Sequence, residues 1–260
     1  MIREELKVKK LPLEKEHHQA LQCMKILDSY YQWIWHLIRP HIGQRVLDAG
    51  CGIGNFSSLI SSNAQYVLAI DLSPQNIESL KKRFQEAKNI EIMQADITDD
   101  LSKISHKKLD TLVCLDVVEH VEDDEELLRN FGKCVQPGGH LILKVPACPW
   151  LFGSIDVASG HLRRYSPEDL IRKSEAAGWE LVKCSYMNIF GVFPYWLKSR
   201  VIKHSTNFSR SIPKWQLYLV KYLTPALERI DRLIGPPIGQ SLILIARRKP
   251  QDPSSESASF

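Results

Sequence analysis

The 260-residue chain carries 34 Lys and Arg against 30 Asp and Glu, a net charge of +4, with 44% hydrophobic and 25% charged residues. That composition excludes a disordered or low-complexity chain, and the longest apolar stretch, Tyr186–Leu197, is broken by Asn188 and Pro194 and falls short of the ~20 residues that span a bilayer. The first eighteen residues lack the apolar core of a secretory signal, and the six cysteines form no CxxC pair, so they read as reduced thiols of a cytoplasmic protein rather than a disulfide frame or a zinc knuckle.

In chain order, residues 1–40 read as an N-terminal helical lead containing Tyr30, Tyr31, Trp33 and Trp35. Arg45–Ala49 is a short apolar run ending in glycines, the pattern of a strand buried on both faces. Tyr66–Ile70, Ile90–Gln94, Asp110–Leu115, Leu141–Val145, Glu180–Met187 and Ser241–Arg247 read as further strands. Ser73 as cap and Pro74 in the first turn open a helix running to about Ala87. The acidic run Glu122–Glu126 opens another that closes before Pro137-Gly138-Gly139. Ser166-Pro167 opens a third that stops near Gly178. Strands alternating with helices give an α/β fold, a Rossmann-like three-layer sandwich with helices on both faces of a mostly parallel sheet. The expected core is 41–187 with 241–249. Residues 188–240 are expected to form an inserted basic and aromatic helical cover, and the polar residues 250–260 a disordered tail.

The strongest chemical signal is Val46-Leu47-Asp48-Ala49-Gly50-Cys51-Gly52-Ile53-Gly54-Asn55-Phe56, a buried strand entering a glycine-rich turn and then a helix. Glycines there let backbone approach a ligand that side chains would exclude. Asp71, at the tip of the second strand, is placed to accept the ribose hydroxyls of an adenosine cofactor, or else to cap the helix that follows. A dinucleotide loop would carry its third glycine at position 55. Asn55 stands there instead, and the resulting G-x-G-x-G suits a ligand without a pyrophosphate.

With Asp48 two residues before Gly50, this loop resembles motif I of class I S-adenosylmethionine-dependent methyltransferases. Gln94-Ala95-Asp96-Ile97 resembles their adenine-contacting motif, Leu109–Val121 their motif IV with its EHV, and Val135-Gln136-Pro137-Gly138-Gly139-His140-Leu141 the turn before their fifth strand. Gly160-His161-Leu162-Arg163-Arg164-Tyr165 is similar to a loop of one bacterial-type subgroup, whose members accompany enzymes of glycan and lipid-linked sugar assembly. The resemblance implies a seven-stranded sheet whose last strand is antiparallel, and S-adenosyl-L-methionine as cofactor. It assigns cofactor binding to Asp48, Gly50, Cys51, Gly52, Gly54, Asn55, Asp71, Leu72, Asp96, Ile97, Leu115 and Asp116.

For catalysis the candidates are His120 and His161, either able to take a proton from a hydroxyl acceptor. Asp116, Glu119 and His120 fall on one face if their segment is helical, a geometry able to hold a metal ion. Similar constellations occur in small-RNA 3′-terminal 2′-O-methyltransferases and ubiquinone-pathway O-methyltransferases. Here the first position is Asp rather than Glu, His161 is the guess for a further ligand, and the expectation is a metal-free site, with the metal set as the alternative. Arg163 and Arg164 could clasp phosphate or carboxylate, or merely brace the N-terminal helix.

Charge is unevenly spread: 18 basic against 22 acidic residues over 1–160, but 16 against 8 over 161–260, and no acid from Leu181 to Leu227. Trp215, Tyr218, Leu219, Tyr222 and Leu223 form an aromatic stripe at helical spacing. Such a stripe packs on a core or meets a membrane interface. The expected function is methyl transfer to a small-molecule, lipid or glycan-linked acceptor, with peripheral contact to anionic membrane. The alternative is a non-catalytic cofactor-binding module docking on a membrane or a glycosyltransferase. An NAD-dependent oxidoreductase is disfavoured by Asn55, and nucleic acid by the lack of an Asn/Asp-Pro-Pro-aromatic run after the fourth strand.

Overall fold

Runs rich in Val, Ile and Leu become strands, and the chain returns between most of them as helices. The computed structural model describes residues 18–201 and 214–249; the polar tail from Pro250 and the first 17 residues lie outside the described residues. Strands β1 (Arg45–Ala49), β2 (Tyr66–Asp71), β3 (Ile90–Gln94), β4 (Leu109–Leu115), β5 (Val135–Pro146), β6 (Trp179–Met187) and β7 (Ser241–Arg248) form one sheet in the order β3-β2-β1-β4-β5-β7-β6. The first five are parallel to one another, while β7 runs antiparallel to both β5 and β6. This is the Rossmann-like, mostly parallel sheet of the expectation. The strand order reverses between β1 and β4, which opens a crevice at their carboxyl ends.

The helices are α1 (18–24), α2 (Asp28–Ile38), α3 (Ser57–Ser61), α4 (Pro74–Arg83), α5 (Asp124–Cys134), α6 (Ser154–Ser159), α7 (Pro167–Ala176), α8 (Val192–Trp196) and α9 (Lys214–Ile234). Alternate strand residues face opposite sides, so each strand feeds two cores. Val46, Val67, Val113, Ile142, Ile243 and Ile245 pack with Trp33, Ile34 and Ile38 of α2 and Ile60 of α3. Leu47, Leu112, Leu141, Leu143 and Leu244 pack on the other side with Leu128 and Phe131 of α5 and with Trp179. Trp179 Nε1 donates to the Leu128 carbonyl at 2.9 Å, which satisfies its one polar atom inside that core. Among the described residues no helix is long and apolar enough to cross a membrane.

Besides one-residue shifts at the ends of β2, β4, β6 and β7, three boundaries differ from the sequence reading. Helix α4 stops at Arg83 rather than Ala87, because Phe84 leaves helical geometry (φ −110°, ψ 22°) and its ring packs against Gly54. Helix α5 starts at Asp124, its cap being Asp123, whose side chain accepts from the Glu126 N–H at 2.8 Å. Strand β5 begins at Val135, before the Pro137-Gly138-Gly139 turn, and absorbs that turn as a register shift between Leu109 and Thr111 of β4.

Candidate active site

At the end of β1 the chain turns back under β2: the Gly50 and Cys51 N–H groups both donate to the Ile70 carbonyl, at 2.8 and 2.9 Å. This turn needs left-handed backbone at Gly50, Gly52 and Gly54 (φ 72°, 58° and 77°), a region that costs other residues energy. A Cβ on Gly52 would also lie 2.9 Å from a Leu21 methyl of α1. Asp71 secures the loop from β2, its Oδ2 accepting from the Gly52 N–H at 2.8 Å. Its Oδ1 accepts from the Ser73 N–H and from Asn76 Nδ2, at 2.9 and 3.0 Å. The helix cap itself is Ser73, which accepts from the Asn76 N–H. Asp71 therefore shapes the loop as well as lining the cleft beside it.

These elements line a cleft of about 800 Å³. Of the cofactor residues expected from sequence, Asp48, Gly50, Cys51, Gly52, Asn55, Asp71, Leu72, Asp96, Ile97, Leu115 and Asp116 line it, whereas Gly54 does not, lying behind the loop against Phe84 and Leu80. Helices α1 and α2 supply Leu21, Tyr31 and Ile34, and the start of α5 adds Glu122, Asp123 and Glu126. Asn55 ties this cover down, donating to the Leu21 carbonyl at 3.0 Å and to the Tyr31 hydroxyl at 3.3 Å. Seven acids and, among the described residues, no Lys or Arg line the cleft. Such a wall attracts cations and repels a pyrophosphate. Asp48 is fully buried with Ser57 Oγ donating to it at 2.6 Å. Burial, helped by the nearby Asp71 charge, raises its pKa to about 7 against the Ser57 hydrogen bond.

Beyond β4 the segment is not one helical face. Asp116 takes left-handed backbone (φ 55°), and only Val118–His120 form a 3₁₀ turn. Both Asp116 oxygens accept from Lys144 Nζ of β5 at 2.5 Å. Burial alone would pull the Lys144 pKa down, but the Asp116 carboxylate outweighs it and the ammonium stays charged. The groups that do converge are Glu119, His120 and His161, each offering one ligand atom within 4.8 Å of the others. The alternative metal set thus loses Asp116 to Lys144 and gains His161. His120 Nδ1 pairs with the Gly160 carbonyl at 3.0 Å and His161 Nδ1 with Asp156 Oδ1 at 2.9 Å. A carbonyl and a carboxylate can only accept, so each Nδ1 carries the proton and each Nε2 is an acceptor in the neutral ring. Glu119 is wholly buried and neither of its oxygens meets a hydrogen-bond partner among the described residues. Desolvation, reinforced by Asp116, drives its pKa far up.

The arginines of the GHxRRY loop pair with groups of the protein itself. Arg164 is buried, donating to Asp156 at 2.8 Å and to the Ala147 carbonyl at 2.9 Å, and Arg163 pairs with Asp124 at 2.9 Å. They brace α6 and the start of α5 rather than the N-terminal helix.

Residues 16–184 match the family described as methyltransferase domain. The chain belongs to this family. A relative from Xanthomonas euvesicatoria pv. vesicatoria (strain 85-10), named ubiquinone biosynthesis O-methyltransferase, is 29% identical over 144 residues, covering 53% of this chain and 60% of that protein. The match thus spans less than two thirds of the relative. An S-adenosylmethionine-dependent methyltransferase structure from Mesorhizobium loti superposes with a TM-score of 0.56 at 18% identity, covering 83% of this chain and 98% of the other. One from Archaeoglobus fulgidus gives 0.54 at 20% identity, covering 84% and 94%. These two likenesses show the fold.

S-adenosylmethionine is the cofactor of this methyltransferase domain, and the cleft fits it on its own terms: a cationic ligand without phosphate against acids and glycine backbone. Sequence reasoning missed the cover formed by Leu21, Tyr31 and Ile34. The aromatic run from Tyr30 to Trp35 marked a helix to be buried, but not the site it would roof. Glu122, Asp123 and Glu126 were read only as a helix start, a role that the Asp123 cap does fill.

Proposed function

We propose that the protein methylates a hydroxyl oxygen of a small-molecule acceptor, lipid- or glycan-linked acceptors included, in the cytoplasm. The observation that carries the reading is the position of His120. It lines the acidic cleft beside Asp116 and Val117, with Nδ1 held on the Gly160 carbonyl so that Nε2 is the ring's acceptor. The name of the Xanthomonas relative supports an oxygen acceptor. When bound, S-adenosylmethionine supplies an electrophilic methyl and a neutral thioether leaving group. The glycine loop, Asp71 and Asp96 would hold it, and α1 and α2 would exclude water from above. His120 Nε2 takes the acceptor's hydroxyl proton as the oxygen bonds to carbon. The non-catalytic module is not favoured, since the acceptor side carries buried, oriented titratable groups that docking would not require.

A second reading has a specific observation behind it. Glu119 buries two carboxylate oxygens that have no hydrogen-bond partner among the described residues, one of them 3.9 Å from His161 Nε2. A divalent cation there would compensate the carboxylate and polarise the acceptor oxygen. Transfer of labelled methyl from S-adenosylmethionine to a panel of phenolic, sugar and lipid-linked hydroxyls tests the function, and transfer to amines or carbon alone would refute it. On the base reading, His120→Ala lowers kcat by about 10²–10⁴ with cofactor affinity unchanged, and chelators have no effect. A chelator-sensitive enzyme containing one ion per chain, lost in Glu119→Gln, would establish the metal reading instead.

A further inference from the structure

Helix α9 is built the wrong way round for a helix that packs on a core. The residues it buries are Leu217, Thr224, Glu228 and Asp231, with Lys221 half-buried, the i, i+4, i+7, i+11, i+14 series of one helical face. That face is mostly polar and bonds to the body. Ser29 Oγ of α2 donates to the Lys221 carbonyl at 2.9 Å, His36 pairs with Glu228 at 2.8 Å, and Asp231 accepts from the Asn188 and Ile189 N–H groups at 3.0 and 3.1 Å. The aromatic stripe points to solvent instead: Trp215 is 63% exposed, Tyr222 75% and Leu233 86%, with Tyr218, Leu219, Leu223 and Ile234 also exposed.

The accessible charge within this segment is cationic. Residues 188–240 contain eight Lys and Arg and two acids, and both acids, Glu228 and Asp231, are buried under the helix. Arg229 and Arg232 are exposed on α9, and Arg200 is exposed ahead of it. On α8 the exposed rings of Phe193 and Trp196 stack at 6.1 Å in the same segment. The exposed acid against the helix is Asp28 of α2, and it is neutralised by Lys221 at 3.1 Å on the body side. Apolar aromatics flanked by cations are the composition of a helix lying in a membrane interface. A second copy of this chain is a poor occupant, because a symmetric contact would bring two cationic segments together.

We infer that α9 is a monotopic docking face that seats the enzyme on anionic lipid, its apolar side entering the headgroup boundary. The helix rests on α2, whose Tyr31 and Ile34 roof the cofactor cleft, so docking sets the cleft beside the interface. The inference concerns attachment alone and stands whichever acceptor is methylated.

Flotation of the full chain with phosphatidylcholine vesicles, with and without 30% phosphatidylglycerol, tests it. Partitioning is expected to be at least tenfold stronger on the anionic vesicles, and to fall severalfold on raising NaCl from 0.05 to 0.5 M. The variant Trp215→Ser/Tyr222→Ser, both exposed and outside the cleft, should lose at least tenfold in partitioning. Its binding of S-adenosylmethionine, measured in parallel, should be unchanged, which shows that it folds. Absence of binding to either vesicle, equal binding to both, or a dimer of the wild type that the double variant dissociates would each overturn the inference.

Discussion

A carboxyl group with a pKa of about 7 inside a cofactor cleft couples ligand binding to pH. In the protein without ligand, burial holds the Asp48 proton up to about 7 instead of 3.8. A cofactor carrying a sulfonium and an ammonium favours the ionised form, so binding expels that proton. If the bound-state pKa lies well below 6, affinity is reduced by the fraction of Asp48 still protonated. At pH 6 about a tenth is ionised and at pH 8 about nine tenths, so the Kd for S-adenosylmethionine should tighten about tenfold between them and then level off. Titration calorimetry in buffers of different ionisation enthalpy reads both the Kd and the released proton. Asp48→Asn keeps an acceptor for Ser57 but cannot titrate, so its affinity should be flat with pH, which separates Asp48 from His120 in the same cleft. Stability follows the same sign. The folded state binds the proton more tightly, so stability without ligand falls as pH rises from about 4 to 7, by at most about 4 kcal/mol. Asp48→Asn should therefore raise the unfolding temperature at pH 8 more than at pH 5. A wild-type Kd constant from pH 6 to 8 with no proton release would refute the coupling, as would an unchanged pH slope in Asp48→Asn.

Two further outcomes follow from the geometry. Gly52→Val places a branched side chain at φ 58° and against Leu21, and calorimetry should detect no S-adenosylmethionine binding; retained affinity within tenfold would show that the loop does not cradle the ligand. Asp124→Ala removes the carboxylate that accepts from Tyr165 Oη at 2.8 Å and pairs with Lys173 at 2.7 Å and Arg163 at 2.9 Å, leaving three donors without it. Urea unfolding should show a loss of about 3 kcal/mol, while a loss under 1 kcal/mol would mean that water replaces the carboxylate.

The sheet was legible because its strands are short apolar runs, the central ones buried on both faces. Arg45–Ala49 and Ile90–Gln94 are runs with sharp turn signals at each end, and their bounds coincide with β1 and β3. The cofactor loop was legible for a different reason: left-handed turns demand glycines, and three of them survive in the sequence as spacing. Contacts between distant segments leave no such trace. Nothing at Asp116 announces Lys144, and nothing in the RR pair reveals that Asp156 and Asp124 hold it. The stripe on α9 shows the limit most clearly. Periodicity marks which residues share a face, but the direction of that face depends on whether α2 offers apolar surface or, as here, Ser29 and His36.

The antiparallel return of β7 has an architectural consequence. Met187 of β6 sits directly opposite Ser241 of β7, and just beyond them the Gln240 N–H donates to the Asn188 carbonyl at 3.1 Å and the two side chains meet at 2.8 Å. Residues 188–240 therefore leave and re-enter the domain through a single gate one strand spacing wide, as the overgrown loop of a hairpin. Closing such a loop costs only logarithmically more as it lengthens, so it can be enlarged, trimmed or exchanged without disturbing strand register. Grafting a two-residue turn between Met187 and Ser241 should leave a folded, cofactor-binding domain stripped of α9.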